Sequence, residues 1–414
     1  MQQSDHASHQ HYALCHQCDI MCELPPIEQA HQAVCPRCHT KLARELTNMR
    51  RDTVIYSSCA LIMLLLSASF VFIHIKVIGI IDNLRLLSIP TILYEYQYPS
   101  LMVLFLLFTL ILPICVLIIQ LILCSPIRLS KYHKRNLLIA YGKLEHWCMP
   151  EIFMAGVLVS FVKLTSYGEI GVDKAFWSFA LFIFFYLKSS IDFSPRKFWN
   201  EIASNNFIKT NLLSGKTGMS QNIRLCLHCH AMLPAELTHC PRCKCKGTLR
   251  QKNSIQWTIA LLMTSLMFYL PANIYGIMNT VFLSAESSST ILDGVIYMWQ
   301  EGDYPVALVI FSASVTIPIL KILALSWLCY FVLVTRKKNK DDCLQMNRLY
   351  NIVEFIGRWS MIDIFVVSVI SALIRNKEMM SVYPDIGAIF FASVVVITMI
   401  ASQKYDPRLI WDKN

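Results

Sequence analysis

No glycine-rich phosphate loop, no Walker motif and no histidine cluster inside an apolar run occurs in this sequence. Those absences argue against an ATPase. No nucleophile–base set stands in their place, so the chain is expected not to be an enzyme. Charge is scarce as well: 15% of the 414 residues are charged against 55% hydrophobic, with a mean hydropathy of +0.48. A soluble chain of this length would form two or three domains, but this balance argues for a membrane. A cleavable signal peptide is not expected, because Met1 to Gln10 is polar and the first apolar run begins near Val54. The histidines from His6 to His11 could bind metal loosely, although a disordered tail is the simpler reading.

Long uncharged runs are present instead, and they come twice. Leu101 to Cys124 holds 24 residues without a charge, enough to cross a core of ~30 Å at ~1.5 Å per residue. Trp147-Cys148-Met149-Pro150-Glu151-Ile152-Phe153 has an echo 212 positions later in Trp359-Ser360-Met361-Ile362-Asp363-Ile364-Phe365. The same offset carries Lys163 onto Arg375, Pro195-Arg196 onto Pro407-Arg408 and Trp199 onto Trp411. Four apolar segments follow in each copy: Val54 to Ile73, Leu101 to Cys124, Cys148 to Val162 and Ala175 to Leu187, then Ile255 to Ile277, Val306 to Val334, Ser360 to Ile374 and Ala388 to Ala401.

Sixteen cysteines would suggest a disulfide framework in a short secreted chain, but here eight form two pairs of pairs. Cys15 and Cys18 are matched by Cys35 and Cys38; Cys226 and Cys229 are matched by Cys240 and Cys243. Each Cys-x2-Cys knuckle lets two thiolates grip one ion, and two knuckles close a tetrahedral site of the kind structural Zn2+ prefers. One Zn2+ per ribbon is expected. Spacing does not choose the metal, and iron in a rubredoxin-like set is the alternative. A closed site leaves no open position, so these are structural or docking modules. Cys22 and Cys245 are additional thiols without an assigned role.

The sequence therefore predicts an all-α polytopic membrane protein of two tandem repeats. Each repeat is a small four-cysteine zinc ribbon followed by a four-helix transmembrane unit. The division is 1–50 for the first ribbon, 51–200 for the first unit, 201–252 for the second ribbon with its linker, and 253–414 for the second unit.

Orientation follows from the loops. Ser125 to His146 and Arg336 to Arg358 are rich in lysine and arginine, whereas Met278 to Tyr304 has four acidic residues and no lysine or arginine. The positive-inside rule places both termini and both ribbons in the cytoplasm. The net charge of +10 is thus spent at the membrane surface, and no nucleic-acid partner is expected. Ile291 to Trp299 mixes apolar and aromatic residues with an aspartate. It reads as an interfacial helix, with one wall of a lipid-accessible cavity as the sharper alternative.

Polar residues inside the spans are few and grouped. Lys321 falls midway along Val306 to Val334, Ser314 shares its face two turns earlier, and Pro318 can kink the helix between them. Ser360 and Asp363, three apart, also share a face. A lone charge at mid-span is disfavoured by ~2.5–3.5 kcal/mol on insertion scales, so a Lys321–Asp363 pair is expected. It would be either structural glue or the polar centre of transport. The first copy keeps only Glu151, with Val116 at the place of the lysine.

These features resemble the paraquat-inducible protein A family over essentially the whole chain. The residues that carry the likeness are Leu270-Pro271-Ala272-Asn273, Gly357 to Asp363, Asp406-Pro407-Arg408 and Ala155 to Leu164. The resemblance implies a multi-pass protein of the bacterial inner membrane. It implies partnership with a periplasmic MCE-domain protein, with an outer-membrane lipoprotein as a further candidate, and movement of membrane lipid between the two membranes in support of envelope integrity and stress resistance. It also makes Pro271 and Asn273 candidates for a broken helix. The first copy departs, with Ser67-Ala68-Ser69 at the matching place, and Tyr275-Gly276 replaces a second Leu-Pro. Two rival readings of other classes are a stand-alone permease for an amphipathic toxic compound and a zinc- or redox-sensing membrane scaffold.

Overall fold

The computed structural model describes residues 12–24, 32–44, 48–77, 80–164, 169–203, 207–208, 212–282, 285–302, 304–335, 338–373, 375–376 and 380–412. The stretch His6 to His11 lies outside them. The first ribbon is two antiparallel hairpins, β1 (Tyr12–Leu14) with β2 (Met21–Glu23) and β3 (Gln32–Val34) with β4 (Lys41–Arg44).

The first membrane half opens with α1 (Met49–Ser69), which leads into the hairpin β5 (Val71–Val77) and β6 (Ile80–Arg85), then the short α2 (Ser88–Glu95). The chain returns through α3 (Pro99–Leu106), a π-helical turn at Leu107–Ile111, and α4 (Leu112–Cys124). Ser130 caps α5 (Lys131–Leu144) by accepting from the His133 amide, and α6 (Pro150–Leu164) follows. Strand β7 (Glu169–Val172), α7 (Lys174–Asp192) and α8 (Pro195–Ile202) complete the half.

The second ribbon has one hairpin, β8 (Ile223–Leu225) with β9 (Met232–Pro234), and its second knuckle is closed by the isolated bridge His239–Lys246. The second half then runs α9 (Ser254–Ile274), β10 (Met278–Phe282), β11 (Ala285–Ser289) and α10 (Ile291–Gln300), the last entered through a capping box of Thr290 and Asp293. Next come α11 (Tyr304–Phe311), a π-helical turn at Ser312–Thr316 and α12 (Ile317–Val334). Finally α13 (Lys340–Trp359), α14 (Ile362–Leu373), β12 (Arg375–Asn376), β13 (Met380–Pro384) and α15 (Ile386–Lys404) lead to a 3-10 turn at Pro407–Ile410.

Both π turns are followed two residues on by a proline, Pro113 or Pro318, which has no N–H to give to an α-helical ladder. The wider turn absorbs that break, so each long span continues past it. Seven helical stretches among the described residues are long and apolar enough to cross a membrane: Met49–Ser69, Pro99–Cys124, Lys174–Asp192, Ser254–Ile274, Ala307–Val334, Lys340–Leu373, which joins α13 and α14 across a turn, and Ile386–Lys404. The eighth expected span is α6, whose 15 residues reach only ~22 Å at ~1.5 Å per residue.

The halves correspond without being clean copies of ribbon plus four helices. What was expected as outside loops folds into sheets, of order β6-β5-β7 in the first half and β11-β10-β13-β12 in the second. Ile73, read from the sequence as the end of a span, lies in β5. His74 on β5 bonds Asp173 through Nδ1 at 2.6 Å, and its ring lies over Gly171 on the paired strand, where a side chain would collide with it.

The two halves share one core. All twelve residues of α14 are buried, against α6, α2 and β13. A Cβ on Gly156 of α6 would sit 2.9 Å from Phe365 Cβ, so glycine lets the two helix backbones approach closely. Phe105, Phe153 and Phe365 form an edge-to-face trio around this contact, with ring centroids 5.3 to 6.3 Å apart.

The ribbons seat crosswise. The first ribbon docks on the second half: Gln17 donates to Asn351 at 2.8 Å and accepts from Asn347 at 3.0 Å, and the Arg37 guanidinium lies 4.3 Å from the Trp411 ring centroid. The second ribbon docks on the first half, where Arg242 donates to the Trp199 carbonyl at 2.9 Å and to Asn200 at 2.7 Å. The ribbons also touch each other through the bridge Ile20–Thr217 and a small core of Leu14, Met21, Ile223, Leu225 and Met232. Arg250 fastens them to the chain end, reaching Asp19 at 2.8 Å and Asp412 at 2.6 Å.

Candidate metal centres and an intramembrane polar centre

Each knuckle turns in the same way. The residue after the second cysteine, Asp19, His39, His230 or Lys244, takes a left-handed conformation with φ between 51° and 62°. Its amide returns to the carbonyl of the first cysteine, at 2.7 to 3.0 Å in all four knuckles. Such backbone costs a non-glycine residue ~1–2 kcal/mol; the turn aims two thiols inward, and metal coordination is the interaction able to offset that cost four times over.

The four ligand atoms of each set, Cys15, Cys18, Cys35 and Cys38, or Cys226, Cys229, Cys240 and Cys243, lie within 4.8 Å of one another, and all eight residues are buried. The shortest Sγ–Sγ contacts are 3.4 and 3.5 Å in both sets, a little inside the ~3.8 Å edge of a tetrahedron with Zn–S bonds of ~2.3 Å. Hydrogen bonds from Cys15, then Cys18, hold the Cys35 thiol far below its usual range; bonds from Cys226, then Cys229, do the same for Cys240. Both sets can coordinate one metal ion. Cys22 lies against the first, its sulfur 4.0 Å from that of Cys35, whereas Cys245 turns to the Cys243 carbonyl.

The polar centre is built differently from the expectation. Helix α13 stops at Trp359, the chain makes a turn at Ser360 and Met361, and α14 starts at Ile362. Asp363 is therefore in the first turn of a helix, at its positive end, and not in its interior. It lines a small, otherwise apolar cavity with Leu101, Ile277, Val367 and Phe391. Glu151 occupies the same place in the first turn of α6.

Lys321 is buried on α12 and its ammonium has no hydrogen-bond partner among the described residues. The expected Lys321–Asp363 ion pair is not formed. Lys321 instead packs on Gly357 in the last turn of α13, near the negative end of that helix. Each charge thus meets a helix end of opposite polarity, a contact worth ~0.3–2 kcal/mol. Ser360 lies buried at the break with no hydrogen-bond partner for its hydroxyl among the described residues, and Ser314 is buried in the π turn. Pro271 does not break α9, which continues to Ile274, and Asn273 returns its amide to the Tyr269 carbonyl at 2.8 Å.

One buried polar group of the first half escaped the sequence reading. Gln120 Oε1 accepts from Ser57 at 3.1 Å and from Ser189 at 2.8 Å, tying α1, α4 and α7 together. The matching positions of the second half are Leu262, Leu325 and Ala401, all buried. The signal was available as a glutamine inside an uncharged run.

A family model described as Paraquat-inducible protein A matches residues 51–203 and 255–414. The chain belongs to the paraquat-inducible protein A family. It is 45% identical over 409 residues to the intermembrane transport protein PqiA of Escherichia coli (strain K12), covering 98% of this chain and 97% of the relative. It is 26% identical over 414 residues to the lipophilic envelope-spanning tunnel protein A of the same strain, covering 97% and 92%. A probable intermembrane transport protein of Haemophilus influenzae is 25% identical over 416 residues, covering 96% and 95%. No solved structure matches the chain. Two of these relatives are named for intermembrane transport and one for an envelope-spanning tunnel, none as an enzyme, which supports the expected non-enzyme and a transport role in the cell envelope.

Proposed function

We propose that the chain is the inner-membrane subunit of a lipid-transport system, passing lipid between the inner membrane and a periplasmic MCE-domain partner, with an outer-membrane lipoprotein at the far end. The observation that carries this reading is the match at 45% identity along nearly the full length of a protein named for intermembrane transport. In this reading the ribbons and both termini face the cytoplasm, as the basic loops on that side favour, and each ribbon holds one Zn2+ through its four cysteines. The two sheets then face the periplasm and offer the surface for the MCE partner.

The polar centre of Ser314, Lys321, Ser360 and Asp363 fits the needs of lipid passage. A headgroup leaving the interface must meet polar groups on its way, and here they stand at a helix break. Glu151, Pro271 and Asn273 are secondary. The test is reconstitution: vesicles containing the full chain should lose labelled phospholipid to a soluble MCE-domain partner, and vesicles without it should not. Release of lipid at equal rate without any partner would favour a stand-alone permease.

A further inference from the structure

The start of the first span carries basic residues where the second copy has uncharged ones. A cavity of about 350 Å³ opens beside the N-terminal end of α1, lined by Asn48, Met49, Arg50, Arg51, Lys197 and Glu201. The carboxylate of Glu201 on α8 is held by Arg50 on α1 and, at 3.4 Å, by Lys134 on α5. Helices α1 and α8 line the cavity, and α5 braces Glu201 through Lys134. Even with Lys197 left aside, Arg50, Arg51 and Lys134 set three cations against one carboxylate. Asp52, on the same first turn of α1, does not line the cavity.

The repeat serves as an internal control. Helices α1 and α9 have equal length, and their alignment places Ile255 and Gln256 opposite Arg50 and Arg51; Leu409 stands opposite Lys197. A basic cluster needed only to build the fold would be required in both copies. Here the second copy builds the same junction without it.

The position tells what the cations would meet. Met49–Ser69 is long and apolar enough to cross a membrane, and Arg50 and Arg51 stand at its ribbon-side end, where a bilayer around that helix would place its headgroups. The indole of Trp199 and the ring of Phe198 are buried just behind, and α8 turns Lys197 and Glu201 toward the cavity while Arg196 reaches the Leu42 carbonyl. Basic pockets between spanning helices at this depth bind anionic headgroups, and arginine suits the paired oxygens of a phosphate.

We propose that the cavity lined by Arg50, Arg51 and Lys197, with Lys134 behind Glu201, is a binding site for a phosphate-bearing anion, filled by the headgroup of an anionic glycerophospholipid from the ribbon-side leaflet. Arg51 contacts the phosphate oxygens, and Arg50 is shared between the phosphate and Glu201, which Lys134 also holds. The site does not depend on the transport reading; it anchors lipid whether or not lipid is moved.

The test uses the full chain in detergent with its metal in place, titrated with phosphatidylglycerol, with phosphatidylcholine and with inorganic phosphate, bound ligand being read by native mass spectrometry. Wild type should retain phosphatidylglycerol over phosphatidylcholine. Arg50→Gln with Arg51→Gln should weaken phosphatidylglycerol about twenty-fivefold, at about fivefold for each cation lost. Arg50→Lys with Arg51→Lys should keep most of it. Glu201→Gln should tighten binding, a gain that misfolding cannot produce. Millimolar phosphate displacing the lipid completely would support the oxyanion site and assign it to a soluble anion. Equal retention of phosphatidylglycerol by wild type and the double glutamine variant, or no preference over phosphatidylcholine, would overturn the proposal.

Discussion

Lys321 Nζ lies 3.0 Å from the point that a Cβ on Gly357 would occupy, and its Cε lies 3.1 Å away. Glycine at 357 leaves the ammonium room against the last turn of α13, and a Cβ there would crowd it by a few tenths of an ångström. Gly357→Ala should therefore push Lys321 off this seat. We expect a fall in thermal stability by the equivalent of ~1–3 kcal/mol, as for overpacking in a dense core, with Gly357→Val worse. Thermal unfolding of the purified protein in detergent checks it, and an unchanged midpoint in both variants would show that the lysine has another rest position.

Because Lys321 and Asp363 each meet a helix end and not each other, their effects on stability should add. In a double-mutant cycle of Lys321→Met and Asp363→Asn, the coupling should stay within ~0.5 kcal/mol, the usual scatter for residues that do not touch. A rescue of one change by the other would restore the ion pair as the better description.

Each ribbon should bind one metal ion, so the purified chain should carry two equivalents by elemental analysis. Cys15→Ser with Cys18→Ser should remove one. Coordination needs thiolates, so metal is released as pH falls. Asp406 behaves differently. Burial raises its affinity for protons, but the two bonds from Arg408, at 2.9 and 2.7 Å, outweigh burial and hold its carboxyl below the usual carboxylate range. The stability it contributes is present above ~pH 3.9, the ordinary aspartate value, and is lost as pH falls through the depressed folded value. Acidification should thus strip the ribbons before it loosens the Asp406–Arg408 turn, and hydrogen exchange at the two places should separate.

Crossed seating makes a directional prediction. Arg37 lies over Trp411, and Gln17 bonds Asn347 and Asn351, so loss of metal from the first ribbon should expose α13 and the C-terminal turn of the second half. Helix α1, its neighbour in sequence, should be affected less. Hydrogen exchange on the Cys15→Ser, Cys18→Ser protein reads this directly. Greater exchange confined to α1 would contradict the crossed arrangement.

The glutamine of the first half offers a complementary test. Gln120→Leu alone leaves Ser57 and Ser189 without their common acceptor and should cost ~0.6–1.7 kcal/mol, the range for polar contacts between spanning helices. Changing Ser57→Leu, Gln120→Leu and Ser189→Ala together installs the residues of the second half and should recover much of that loss. Thermal unfolding distinguishes the two.

What the sequence made legible was whatever rests on spacing or length. The cysteine quartets, the long runs such as Leu101 to Cys124, and the pairing of Trp147-to-Phe153 with Trp359-to-Phe365 all have that character. Strand β5 was hidden because Val71-Phe72-Ile73 is as apolar as the span before it, and hydropathy does not separate a buried strand from a helix end. The break at Ser360 and Met361 carries no glycine or proline, so Asp363 read as mid-helix when it is in a first turn. The seating of Arg37 on Trp411 joins residues at opposite ends of the chain, and no local pattern encodes it. Pro318 did announce a disturbance, but its form, a π turn that preserves the span, depends on the neighbours that hold the helix.

The most direct test of the account is lipid transfer by the helix break itself. Labelled phospholipid would be followed from vesicles containing the full chain to a soluble MCE-domain partner, comparing wild type with Lys321→Met, Asp363→Asn and the two combined. The account predicts that each single change slows transfer by about tenfold or more, a rise of ~1.4 kcal/mol in the barrier, while protein level, metal content and partner binding stay normal, and that the double variant does not recover. Full transfer by the double variant at a normal protein level would contradict it, and would reduce Lys321 and Asp363 to parts of the scaffold.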